Sequence, residues 1–143
     1  MKLAFLYAGQ GSQTPGMGKD LYEAYPAFRQ VLDNAPVDFD LKKTCFEGEH
    51  LNETKYTQPC MVAFAVGVTQ ILNHEGIRPD YVAGLSLGEY SALQAAGVFT
   101  PQQAISLVAF RGKVMAEAAK DVPCGMTAVL GLDREKQIGR AHV

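Results

Sequence analysis

The chain has no tryptophan, three cysteines and three histidines in 143 residues. Cys45, Cys60 and Cys124 have no C-x-x-C spacing and an odd count. That excludes a disulfide framework and a cysteine-based zinc site, and they read as reduced thiols filling a core. His50 lies in a polar surface stretch, and His74 falls in the last turn of a helix, where the helix dipole favours it. Neither has a partner at a ligand spacing, so no metal and no cofactor are expected. No apolar run approaches the ~20 residues of a membrane span. Met1-Lys2 leads straight into Leu3–Ala8, too short for a signal peptide with its cleavage site. The net charge is −2, with Lys42-Lys43 the only basic pair, which argues against nucleic acid or an anionic membrane as partner. A cytoplasmic protein is expected.

What is present suits one soluble domain, or part of one: the hydrophobic fraction is 48% and the charged fraction 20%. Leu3–Ala8 is a continuous apolar run ending at Gly9, which predicts a central strand covered on both faces. The loop Gly9-Gln10-Gly11-Ser12-Gln13 can bring backbone amides close to a ligand, although glycine content alone describes an ordinary strand-to-helix turn. Helical spacing runs from Lys19 to Asn34, split at Pro26, and a shorter helical region covers Val37 to Gly48. Thr57-Gln58-Pro59 predicts the start of a strong helix, with Pro59 in the first turn and Thr57 or Gln58 outside it. The following segment, Cys60–Leu72, is apolar nearly all round and is expected to be buried.

The most informative stretch is Tyr81–Ala96, YVAGLSLGEYSALQAA. A short apolar strand leads into Gly84-Leu85-Ser86-Leu87-Gly88, and a helical composition follows. This is the context of a nucleophile elbow, G-x-S-x-G on a sharp turn. Gly84 and Gly88 remove side chains where the turn is crowded, and the N-terminus of the helix beginning at Ser86 favours a forming oxyanion. The same residues also spell S-x-x-E, a capping box in which Ser86 would merely cap the helix and Glu89 would reach back. The pentapeptide alone supports both.

Gly97-Val98-Phe99 ends that helix. Thr100-Pro101 then caps a long one reaching about Lys120. Its apolar stripe reads Ala104, Leu107, Val108, Arg111, Met115, Ala118. An arginine on an apolar stripe needs a partner. It can snorkel at the edge or pair with a structural carboxylate; alternatively its planar fork receives a carboxylate in a cleft. Gly125–Leu132 predicts a further strand. Asp133 would cap a short helical start at Arg134-Glu135-Lys136, and residues 138–143 have no periodicity.

Four motifs in order resemble the malonyl-CoA:acyl-carrier-protein transacylase family of fatty acid synthesis, and less closely the acyltransferase domains of polyketide synthases. They are GQGSQ after the first strand, TQP before the buried helix, GLSLGEYSAL, and Arg111-Gly112-Lys113, with Arg111 placed 25 positions after Ser86. The resemblance covers Leu3 to about Lys136. It implies an α/β fold: an α/β-hydrolase-like parallel sheet with flanking helices, truncated at the start of a ferredoxin-like small subdomain. It implies that Ser86 is the acyl-accepting nucleophile, that the backbone N–H groups of Gln10 and Leu87 form the oxyanion hole, and that Arg111 binds the malonyl carboxylate. Malonyl-CoA and acyl carrier protein would be the substrates, through a seryl acyl-enzyme.

Two departures matter. Leu85 stands where the family commonly has histidine, so any polar support from that position is missing. The family's base is a histidine downstream of the small insert, and this chain ends inside that insert; His50 and His74 both precede Ser86. The expected division is therefore 1–122 as the N-terminal part of the large subdomain, 123–137 as the start of the insert, and 138–143 as an artefactual tail. The tail, which contains His142, matches one reading frame of a sequencing adapter. Loss of the base implies a nearly inactive fragment, since removing it from a serine hydrolase costs ~10⁶ in kcat. The alternatives are an α/β-hydrolase-type esterase or thioesterase, which shares G-x-S-x-G but has no need of Arg111, and a non-catalytic fragment.

Overall fold

Two apolar segments far apart in sequence meet as a parallel pair. In the computed structural model, β1 (Ala4–Tyr7) pairs with β2 (Tyr81–Gly84) in the register Ala4↔Tyr81 to Tyr7↔Gly84. The structure describes residues 2–123 with Gly131 and Asp133. The expected strand at Gly125–Leu132, the start of the insert, Cys124 and the 138–143 tail lie outside the described residues or almost wholly so. Asp80 fixes the register from the N-terminal end: its carboxylate accepts from Leu3 N–H at 2.8 Å, and its own N–H donates to the Leu3 carbonyl.

Helices connect and flank this pair. They are α1 (Lys19–Ala24), α2 (Pro26–Asp33), α3 (Leu41–Glu47), α4 (Thr54–His74), α5 (Gly88–Ala95) and α6 (Pro101–Ala118). Proline at the first position of α2 accounts for the break after α1. Asp40 caps α3 by accepting from Lys43 N–H, and Gly48 closes it in the left-handed conformation that glycine adopts without penalty. Thr100 and Gln103 form a reciprocal capping box on α6, with Pro101 in its first turn. The core gathers around α4, where Phe28, Leu51, Val62, Val66, Ile105 and Val108 are fully buried. Cys45 and Cys60 are free thiols buried in it.

Three expectations need correction. The helix expected to open at Pro59 begins at Thr54, with Pro59 inside it. Its start is secured upstream, where Glu53 carbonyl accepts from the Tyr56 and Thr57 N–H groups and the Thr57 hydroxyl donates to the Leu51 and Glu53 carbonyls. Thr57 and Gln58 are consequently buried helix residues rather than an exposed lead-in. The buried stripe of α6 is Ala104, Ile105, Val108 and Gly112, while Leu107 and Met115 are exposed. Gly112 rotates the stripe: a Cβ there would lie 2.9 Å from the Thr54 carbonyl, so α6 lies against α4 along its glycine. Finally, β1 is not covered on both faces by the described residues, since Leu6 is 80% exposed.

Candidate active site

The turn after β2 is strained at its serine. Ser86 has φ +51°, in the left-handed region that costs a non-glycine residue ~1–3 kcal/mol. The surroundings enforce it. A Cβ on Gly84 would overlap the Gly88 backbone, and one on Gly88 would overlap the Tyr7 carbonyl at the end of β1. Leu85 N–H donates to the Tyr7 carbonyl at 3.1 Å, tying the elbow to β1. Leu87 is buried and anchors the turn in the core, while Ser86 and Leu85 face outward.

The capping alternative is not realised. α5 begins at Gly88 with Leu87 at its cap position, and no side chain caps it. The Ser86 hydroxyl instead receives a hydrogen bond from Arg111 Nη2 at 3.4 Å.

The first glycine loop lies beside the elbow. A Cβ on Gly9 would lie 2.9 Å from the Leu85 carbonyl, so glycine allows the two backbones to touch. Gly11 N–H is taken by Gln13 Oε1 at 2.8 Å, which folds the loop back on itself. The N–H groups of Gln10 and Leu87 donate to no backbone or side-chain acceptor among the described residues.

Arg111 reaches the elbow from α6. Its Nη1 donates to Gln58 Oε1 at 2.9 Å, and its guanidinium stands over the Tyr90 ring with the carbon 5.6 Å from the centroid. No carboxylate pairs with it among the described residues. The four predicted site residues therefore cluster: Ser86 and Arg111 in direct contact, Leu87 next in chain, and Gln10 linked to Arg111 through Gln58. His50 pairs with Glu53 and approaches Glu49 on the surface, and His74 ends α4; neither is bonded to Ser86.

Gln58 is the site residue that the sequence reading missed. A signal was there: Gln58, Val62, Val66 and Thr69 recur at helical steps of four and three, so a polar amide sits on the buried stripe of α4 and needs partners.

A strained serine turn, two backbone amides with no acceptor among the described residues and an arginine with no carboxylate partner among them converge beside the end of the parallel strand pair. The chain belongs to the acyl transferase domain family, which matches residues 4–143. It is 44% identical over 138 residues to the malonyl CoA-acyl carrier protein transacylase of Bacillus subtilis, covering 94% of this chain and 44% of that protein. It is 40% identical to the transacylase of Escherichia coli O157:H7, covering 98% and 47%. The crystal structure of the Helicobacter pylori malonyl-CoA:acyl carrier protein transacylase superposes with a TM-score of 0.90 at 37% identity, over 98% of this chain and 47% of that one. The chain thus spans about half the length of the relatives it matches. No helix of the described residues is long and apolar enough to cross a membrane.

Proposed function

We propose that this chain carries the acyl-accepting half of a transferase that moves a malonyl group from malonyl-CoA to the pantetheine thiol of acyl carrier protein, as in fatty acid synthesis. The observation that carries it is the contact between Arg111 and Ser86. Ser86 Oγ attacks the thioester carbonyl, its proton passes to a base, and the carbonyl oxygen becomes an oxyanion. The Leu87 and Gln10 N–H groups are the donors for that oxyanion, each worth ~10²–10³ in rate when preorganised. Collapse expels the coenzyme A thiol and leaves an ester on Ser86. The ester's free carboxylate then lies one methylene beyond the acyl carbon, within reach of Arg111. A carrier-protein thiol attacks in the second half-reaction and regenerates serine.

Residues 1–122 form the N-terminal part of the large, α/β-hydrolase-like subdomain in this reading, and 123–137 begin the ferredoxin-like insert. No histidine of the described residues is bonded to Ser86, so in this reading the base is not among them. Slow acylation from binding and the oxyanion donors alone remains, at ~10³–10⁴ over water in a comparable serine enzyme. The test is malonyl transfer from coenzyme A to carrier protein by the 143-residue chain. Turnover close to that of a full-length relative refutes the missing base. Release of free malonate without transfer, unaffected by Arg111→Ala, supports an esterase instead.

A further inference from the structure

A chain of amides runs behind the arginine. Gln58 is fully buried, with no exposed surface. Its Oε1 accepts from Arg111 Nη1 at 2.9 Å, while its Nε2 approaches Gln10 Oε1 at 3.5 Å and Met115 Sδ at 3.3 Å. Gln10 Nε2 in turn donates to Thr54 Oγ1 at 3.2 Å. The direction of this chain is set by chemistry. A guanidinium has donors and no acceptor, so the Gln58 oxygen must face it. The Gln58 NH₂ then faces Gln10, whose oxygen must turn toward it, leaving the Gln10 NH₂ for Thr54.

We infer that Gln58 is a positioning residue that fixes the Arg111 fork and, through the same amide, the loop carrying Gln10, so that malonyl preference depends on a side chain that touches neither nucleophile nor substrate. The inference rests on the proposed role of Arg111. Hydrogen-bond polarity makes it more than packing: a residue of equal size without the acceptor leaves Nη1 of a half-buried guanidinium unheld, and one with a negative acceptor neutralises it. Gln58→Leu is the first case and Gln58→Glu the second.

The experiment measures two quantities on the wild-type chain and both variants. One is the order of the Arg111 guanidinium, from its ¹⁵N heteronuclear NOE. The other is the ratio of malonyl-CoA to acetyl-CoA affinity. In wild type the guanidinium is ordered and malonyl-CoA is preferred. Gln58→Leu disorders it and lowers the preference about tenfold or more, the size of a lost hydrogen bond to a charged group. Gln58→Glu keeps it ordered yet abolishes the preference, because the new carboxylate occupies the fork. A mobile Arg111 in wild type, or an ordered one in Gln58→Leu, overturns the inference. So does a preference retained in Gln58→Glu. Arg111→Ala separates the underlying reading: if it prefers malonyl-CoA as wild type does, the role of Arg111 fails, while the ordering of the guanidinium still decides the role of Gln58.

Discussion

Arg111 Nη2 donates to Ser86 Oγ at 3.4 Å across 25 residues of sequence. One group comes from the second turn from the C-terminal end of a long helix and the other from a strained loop, so the contact exists only because α6 lies against α4 at Gly112 and the elbow is pinned to β1. In the proposed reaction, a cation at the serine hydroxyl stabilises the alkoxide character that attack requires.

The elbow glycines are expected to be intolerant. Gly84→Ala and Gly88→Ala each place a methyl inside backbone atoms rather than at the end of a flexible side chain. Overpacking of ordinary core sites costs ~1–3 kcal/mol, and backbone overlap exceeds it. Denaturant titration should show losses of at least ~3 kcal/mol or no folded protein. A loss under ~1 kcal/mol contradicts the elbow geometry.

Strain at Ser86 should be measurable as stability. At φ +51°, glycine relieves the conformation and alanine does not. Ser86→Gly is expected to exceed Ser86→Ala in unfolding free energy by about 1 kcal/mol, although both remove the nucleophile. Equal stabilities would mean that the backbone is not held in the left-handed region in solution.

Much of this was legible in the sequence, for physical reasons that differ by element. Pro26, Gly48, Gly97 and Thr100-Pro101 act locally, so the boundaries that they set were readable. Pro59 misled because helix entry was decided by Leu51 and Glu53, whose carbonyls satisfy Thr57. The α6 stripe turned because Gly112, with no side chain, lets α6 touch the α4 backbone at Thr54 and Lys55, and hydropathy does not register that. Ser86 was ambiguous between cap and nucleophile; no side chain caps α5, and the hydroxyl meets Arg111 instead, which removes the cap. Gln58 was hidden inside the motif that announced it.

The open face of the sheet predicts association. Leu6 is 80% exposed, Leu85 74% and Tyr81 60%, and β1 and β2 form a two-stranded sheet among the described residues. Such an exposed apolar surface favours self-assembly. Sedimentation should show concentration-dependent oligomers, reduced by Leu6→Lys with Leu85→Lys. A sharp, monomeric thermal transition of the unmodified chain would count against this.

Stability should fall on the alkaline side. Donation of the Cys60 S–H to Cys45, then burial, pushes the Cys60 thiol above its ordinary value of 9.0. Burial likewise raises Tyr7, opposed by its bond to Thr69. Both keep their protons in the fold where the unfolded chain releases them, so this contribution is full below about pH 9 and is lost as pH rises. The urea midpoint should drop between about pH 8 and about pH 10.5, less so in Cys60→Val. A midpoint that rises over that interval contradicts the assignment.

The central claim is that Ser86 accepts the acyl group while Arg111 selects its carboxylate. It is tested most directly by incubating the chain with malonyl-CoA or acetyl-CoA and locating the ester by peptide mass spectrometry. A malonyl adduct should form slowly on the peptide containing Ser86 and be absent in Ser86→Ala. Malonyl-CoA should label faster than acetyl-CoA, and Arg111→Ala should erase that difference. A label on another residue, or the same malonyl preference without Arg111, would contradict the claim.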